Sequence, residues 1–246
     1  MKERIFAAAS VVLVSSAIIG FSAGSTGASF TGSSTNPNQS WNTQTVTPPA
    51  SFTSATSKPA GQIDLVWTAT ATPAGSHTLT YLVLRGPVGG PYSQVGSSAG
   101  LTYSDTPGSD GTYEYVVQTK IAQGAGFFTS GNSATKSTKS DRTAPTAATA
   151  LSAVKGASAG QILVSWTAGT DGGTGVAGYT VHRSGVVAVC PATTVANYPN
   201  ATSVGVVTST TIGGLVSGSK YCFYLTTDDV AGNASANSAS AISLAK

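Results

Sequence analysis

The sequence predicts an all-β protein made of two β-sandwiches in tandem behind an amino-terminal signal helix. A ten-residue stretch, Ala60-Gly-Gln-Ile-Asp-Leu-Val-Trp-Thr-Ala69, returns ninety-nine positions later as Ala159-Gly-Gln-Ile-Leu-Val-Ser-Trp-Thr-Ala168, without a gap. Ile63, Leu65 and Trp67 hold one phase of the first copy, and Ile162, Val164 and Trp166 hold the same phase of the second. Period-two alternation with β-branched residues and one large aromatic reads as a half-buried strand with its Trp inward. A repeat at a domain-sized interval then means two similar units. Length agrees, because 246 residues exceed a domain of roughly 100–200 residues.

The expected boundaries are 1–28 for a signal peptide, 29–47 for an extended segment, 48–139 for the first sandwich, 140–146 for a linker and 147–246 for the second sandwich. In the leader, Lys2 and Arg4 precede an apolar run from Ile5 to Gly20, and small residues continue to Ala28. That is the layout of a secretory signal, with Thr26-Gly-Ala28 as the cleavage zone. A retained helix is the rival, since about 20 apolar residues span a bilayer. Such an uncleaved helix is the only membrane attachment expected. The protein is therefore expected to be secreted, extracellular or held at the cell surface.

Composition removes several function classes. Charged residues are 9% of the chain and the formal net charge is +3. Docking on phosphate backbones needs a concentrated basic stripe, and Lys136, Lys139 and Arg142 read instead as a solvated linker, so no nucleic-acid partner is expected. After the leader the chain holds one Glu, Glu114, and seven Asp. Hydrolysis needs paired carboxylates or a nucleophile with its base. Glu114 alternates outward with no recognisable partner, the serines lack a Gly-x-Ser-x-Gly elbow, and Gly89-Gly90 and Gly172-Gly173 are turn glycines with no helix after them. No enzyme activity and no cofactor are expected.

Metal is weighed on Asp228, Asp229 and Asn233. Hard cations take six to eight oxygen ligands, and three candidates fall short, so no metal ligand is assigned. Asp171, Asp228 and Asp229 read as turn or cap residues bonding backbone N–H groups. His77 and His182 fit no zinc spacing. Asn38, Asn200 and Asn233 open glycosylation sequons that carry little weight.

In the first sandwich, strands are expected at Ser51–Thr56, Gln62–Ala69, Leu79–Arg85, Tyr92–Gly96, Leu101–Tyr103 and Gly111–Val117, with a last one inside Gly126–Lys136. Pro145 restricts its own φ and biases Ala144 toward extended backbone, which favours two domains in line. In the second sandwich, Tyr179-Thr-Val-His-Arg183 answers Tyr81-Leu-Val-Leu-Arg85, and Gly218-Ser-Lys-Tyr221 answers Gly111-Thr-Tyr113. Trp67, Tyr113, Trp166 and Tyr221 are the expected core landmarks. Seven short strands with Trp on the second and Tyr opening the sixth make an immunoglobulin-like sandwich natural.

Trp166-Thr-Ala, Asp171, Gly175-Val-Ala-Gly-Tyr-Thr-Val-His-Arg183, Gly218-Ser-Lys-Tyr221 and Asp229-Val-Ala-Gly-Asn-Ala-Ser235 together resemble a bacterial fibronectin type III domain over about a hundred residues. The first sandwich shares the Trp, Tyr and Arg landmarks but lacks the Asp-x-Ala-Gly-Asn-x-Ser ending. The resemblance implies a spacing, adhesive or filament-building module outside the cell, and no substrate.

Upstream, Ala28-Ser-Phe-Thr, Asn38 and Trp41-Asn-Thr-Gln-Thr-Val46 resemble, over about twenty residues, the segment after the signal in the camelysin and biofilm-fibre subunit family. In such fibres a leading strand completes a neighbour's sheet. Phe30, Trp41 and Val46 are thus expected to anchor a donated strand, and the rival is a flexible spacer.

Cys190 and Cys222 are the only cysteines, and an even pair outside the cytosol suggests a disulfide. Tyr221, Phe223 and Leu225 alternate inward, so Cys222 and Tyr224 are expected on the outer face. The bond would then pin Ser184–Val204 across the outside of its sheet. Phe127-Phe128 is the one candidate ligand contact, an aromatic pair for a polysaccharide or cell-surface partner. Alternation predicts that one of the two faces the core.

Overall fold

A computed structural model describes residues 46–71, 78–123 and 126–246. The signal helix, Phe30, Trp41 and His77 lie outside the described residues. The described chain is strands and turns, apart from a 3₁₀ turn at Pro59–Gly61.

The first sandwich runs β1 (Phe52–Ser57), β2 (Ile63–Trp67), β3 (Thr78–Gly86), β4 (Ser93–Ser98), β5 (Thr102–Asp105), β6 (Gly111–Gln123), β7 (Gly126–Thr129) and β8 (Lys136–Ser140). One sheet is ordered β1-β2-β5, and the other β4-β3-β6-β7 with β8 also paired to β6. The second runs β9 (Thr149–Lys155), β10 (Ile162–Thr167), β11 (Val176–Arg183), β12 (Asn200–Val204), β13 (Ser209–Ile212), β14 (Lys220–Asp229) and β15 (Ala241–Leu244). Its sheets are ordered β13-β10-β9 and β12-β11-β14-β15. All pairings are antiparallel.

The repeated stretch builds the heart of each unit. Ile63, Leu65 and Trp67 pack with Phe52, Tyr81, Val83, Tyr115 and Val117, and Ile162, Val164 and Trp166 with Tyr179, Val181, Tyr221, Phe223 and Leu225. Trp67 meets Tyr81 edge-on at 5.5 Å and 60°, and Trp166 meets Tyr179 at 5.3 Å and 60°. Full burial of one such side chain is worth about 1.5–3 kcal/mol, so the inward phase supplies most of what holds each unit.

Tyr113 differs from its expected core place. It is half-buried at the rim, its hydroxyl bonds the Ser109 carbonyl at 3.0 Å, and the Arg85 guanidinium lies 5.1 Å from its ring centre. Tyr115, two residues deeper on the same face, is the fully buried one. Its phenol donates to Asp105 Oδ2 at 2.8 Å, and burial, reinforced by that bond, pushes its pKa up. Arg85 Nη1 closes the ion pair with Asp105 at 2.7 Å.

The last strand of the first sandwich also departs from expectation. It is split into β7 and β8, and between them serines take over the ladder. Ser130 and Ser133 bond Thr119 and Val117 through their backbone N–H groups. Their hydroxyls accept in return, from Thr119 N at 2.8 Å and Val117 N at 2.9 Å. The second sandwich repeats the device, with Ser235 Oγ accepting from Thr227 N at 2.8 Å and Ser238 Oγ from Leu225 N at 2.9 Å. A side-chain oxygen in place of a carbonyl satisfies the buried N–H while letting the strand break.

Candidate functional site: the joint between the sandwiches

The chain that leaves β8 is held at every step. Ser140 and Asp141 are 0% and 1% exposed, which no loose linker would be. Ser140 Oγ donates to the Gly61 carbonyl at 2.8 Å, and Gly61 N donates to the Asp141 carbonyl at 3.0 Å. Lys136 and Lys139 belong to β8 rather than to a solvated linker. Lys139 Nζ reaches the carbonyls of Gly172, at 3.2 Å, and of Gly173. Arg142 bonds Asp110 Oδ1 at 2.8 Å and the Pro107 carbonyl.

Asn233 is the hub on the other side. The turn after β14 places it by two bonds to Asp229, from its backbone N and from Nδ2, both 2.7 Å. Nδ2 also donates to the Asp141 carbonyl at 3.1 Å, and Oδ1 accepts from Ala60 N at 3.1 Å. Ala60 holds φ 59, a left-handed conformation that non-glycine residues rarely adopt. Gly61 has φ +74, a conformation that favours glycine, and a Cβ there would sit 2.7 Å from Arg142 Cζ and displace that side chain.

Three carboxylates converge at this joint. Asp141, from the connecting chain, accepts at Oδ1 from Thr143 N (3.0 Å) and at Oδ2 from Thr174 Oγ1 (2.9 Å). Asp171 Oδ2 accepts from Gly175 N at 2.6 Å, a cap bond of the kind expected for a loop Asp. Asp229, beside Asn233, completes the group. Asp228 turns away and accepts from Thr180 Oγ1 at 2.7 Å, across the sheet rather than within a turn. Asp141 and Asp229 are 1% and 3% exposed and tied to donors, so they are not presented to a substrate. The grouping joins Asp229 to residues 58 and 88 positions earlier, a closeness that no local motif displays.

The other predicted residues are scattered. Cys190 and Cys222 are bonded, with Cα atoms 5.4 Å apart. The bond lies in a separate small cluster with Tyr198, Tyr224 and Val187, on the face of β14 opposite Tyr221 and Phe223, where alternation placed it. Tyr224 stacks on His182 at 4.4 Å and takes the edge of Tyr198 at 4.7 Å. Glu114 has partners after all: its Oε2 accepts from Tyr92 Oη at 2.6 Å and from Gly89 N at 2.7 Å. Those bonds, the Tyr92 hydroxyl first, hold its carboxyl below the usual range.

Neither Phe127 nor Phe128 is buried; they are 61% and 43% exposed. β7 pairs Phe128 with Ile121 and Phe127 with Ala122. The rings therefore point to opposite faces, and Lys120 Nζ sits 4.3 Å from the centre of the Phe127 ring. Val46, the end of the expected donor strand, is buried in its own sandwich at 2% exposure, and Thr70 Oγ1 bonds the adjoining Thr47 carbonyl at 3.1 Å. Among the described residues no helix is long and apolar enough to cross a membrane.

No protein-family model matches the sequence, and no curated protein does. Solved structures do. The chicken CNTN1 FN1–FN3 domains superpose with TM-score 0.55 at 18% identity, covering 82% of this chain and 71% of that one. The fold is that of tandem fibronectin type III domains. A two-domain fibronectin type III segment of chicken tenascin (18% identity, 79% of this chain and 98% of that one, TM-score 0.32) and an Fn3-like protein of Clostridium thermocellum (27%, 42% and 96%, TM-score 0.31) are also similar. In fibronectin type III terms the duplicated Trp strands are the second strand of each domain, and the split β7–β8 stands where β15 closes the second domain.

Proposed function

We propose that the protein is a non-enzymatic structural component of the cell exterior, a spacer or filament subunit whose two fibronectin type III domains are locked to each other. The observation that carries this reading is the joint. Asn233 bonds Asp141 and Ala60, Gly61 bonds Asp141 and Lys139 bonds Gly172 and Gly173 across the boundary, as fixed spacing between two modules requires. The bonded cysteine pair and the leader support export. Several sheet-edge strands, β1, β4, β12, β13 and β15 among them, contain no charged residue. Charge on an edge is a common guard against strand addition, so these edges suit self-assembly. The donor would be Ser29–Thr45, since Val46 is already engaged at home.

Size-exclusion chromatography with negative-stain microscopy on the exported chain, beside a version beginning at Thr47, tests the assembly. Fibres or ladders from the longer form alone support a filament subunit. Monomers from both forms leave the spacer and remove the filament.

A second reading, adhesion through a carbohydrate, is favoured by the exposure of Phe127 and Phe128. Retention on cell-wall or plant polysaccharides that disappears in Phe127→Ala/Phe128→Ala would establish it. Absence of retention on any polysaccharide would eliminate it.

A further inference from the structure

We propose that Asp141, Asp171 and Asp229 form a calcium-binding site that clamps the joint between the two domains. One carboxylate oxygen of each lies within 4.8 Å of one oxygen of each of the others. A single point then lies within about 2.8 Å of all three or closer, which brings the roughly 2.3–2.6 Å of a calcium–oxygen bond within reach; magnesium, which gives up its waters reluctantly and is seldom caged by protein carboxylates alone, is the poorer fit.

Charge makes the same demand. Asp141 and Asp229 are almost wholly buried, and a cation would offset the mutual repulsion that their hydrogen-bond donors only partly answer. Among the described residues, ion pairs join Arg85 to Asp105 and Arg142 to Asp110, and none involves these three carboxylates. The nearby ammonium of Lys139 is turned to the carbonyls of Gly172 and Gly173.

A second and independent observation is an orphan atom. Asp171 Oδ1 is fully buried and has no hydrogen-bond partner, although Oδ2 of the same carboxylate takes Gly175 N. A buried carboxylate oxygen without a donor requires explanation, and it belongs to one of the three carboxylates that converge here. The set is all oxygen and all anionic, which selects a hard cation over zinc or copper.

Three carboxylates supply part of the six to eight oxygens that calcium takes, and water would complete the set. Thr143, Thr174 and Asn233 hold the Asp141 and Asp229 carboxylates in orientation by donating to them; Asp141 Oδ2 takes two of these donors, Thr174 N and Oγ1, while Asp171 Oδ1 takes none. A cleft lined by Asp110, Lys139, Asp141, Gly172 and Gly173 reaches the Asp141 member of the cluster. Because Asp141 lies on the connecting chain while Asp171 and Asp229 belong to the second domain, the ion ties the connection to that domain. The inference does not depend on filament assembly, and an assembly result of either sign leaves it standing.

Titration of calcium chloride into the chelator-treated whole chain, by calorimetry and by thermal unfolding, tests the site. One calcium per chain is expected, with Kd of the order of 10⁻⁴–10⁻³ M as in other extracellular modules and a rise in unfolding temperature that grows with calcium. Magnesium is expected to bind at least about tenfold more weakly. Asp171→Asn should weaken calcium binding by about tenfold or more, while Asp64→Asn, on β2, leaves it unchanged. No heat and no thermal shift at about 10 mM calcium would overturn the proposal. So would equal binding of magnesium, or undiminished calcium binding by Asp171→Asn. If Asp171→Asn does not fold, the calcium and magnesium titrations of the parent chain decide alone.

Discussion

Asn233 Nδ2 donates to the backbone carbonyl of Asp141 at 3.1 Å, joining residues 92 positions apart from either side of the domain boundary. The same side chain accepts from Ala60 N, so one amide spans the connecting chain and the first domain. Asn233→Ala removes both of these bonds, together with the Nδ2 bond to Asp229 Oδ2, and changes no residue of the sandwich core. The two bonds across the boundary are worth about 0.5–1.5 kcal/mol each, a size that sets domain orientation without deciding whether either domain folds. Nitrogen-15 relaxation is expected to give one rotational correlation time for both domains of the parent chain and two different times for Asn233→Ala. A single shared time in the variant would show that Asn233 does not hold the joint.

The serine substitutes for backbone carbonyls make a separate prediction. Ser133 Oγ is the acceptor for Val117 N, and Ser238 Oγ for Leu225 N, at sites 8% and 6% exposed. Ser133→Ala and Ser238→Ala each leave a buried N–H without an acceptor, at a cost of about 1–3 kcal/mol. Denaturant unfolding should show each loss in the domain that carries the substitution. Changes within about 0.5 kcal/mol, the level of an ordinary surface substitution, would mean that the neighbouring strand closes up and makes the bond itself.

The repeated Trp strand and its phase made the sandwiches legible, because period-two burial is written directly in residue order. The outward position of Cys222 and Tyr224 followed from the same period. The serine device was visible too, in Ser130-Gly-Asn-Ser133 and Ser235-Ala-Asn-Ser238, but a polar pair in a turn-rich stretch reads as loop until the strand opposite is known. The joint was less legible. Asp141 looked like part of a linker because burial there comes from another domain, and Asp171 and Asp229 looked like local caps because each does cap a local N–H. Alternation gives Phe127 and Phe128 opposite faces, as their pairing shows, but it does not tell that both stay exposed.

The Cys190–Cys222 bond closes 32 residues of sequence separation, for which the chain-entropy model gives roughly 3–4 kcal/mol. The cluster it anchors, Tyr198, Tyr224 and Val187, is separate from the sandwich core. Reduction should therefore free the strap from Val187 to Tyr198 and leave β10, β11 and β14 folded. Hydrogen exchange with and without reductant is expected to quicken in the strap alone. Exchange quickening equally through β14 would place the bond in the cooperative core instead.

His182 is stacked face to face on Tyr224, the ring that Tyr198 of that strap meets edge-on, and desolvation by burial pulls its pKa below the ordinary imidazole value, with Asp228 pulling the other way. The neutral ring is thus the form the fold prefers. In the window between the lowered folded value and the unfolded value of about 6.5, the unfolded chain binds the extra proton first. Stability then rises with pH. The contribution is complete above the unfolded pKa and is lost as pH falls through the folded one. A proton NMR titration of the His182 ring should have its midpoint below about 6.5, and His182→Phe, which keeps a flat ring on Tyr224, should flatten the fall in stability across that window. A midpoint at or above the ordinary value would mean that the Asp228 charge outweighs burial, and the acid-side loss would have to be traced to the carboxylates.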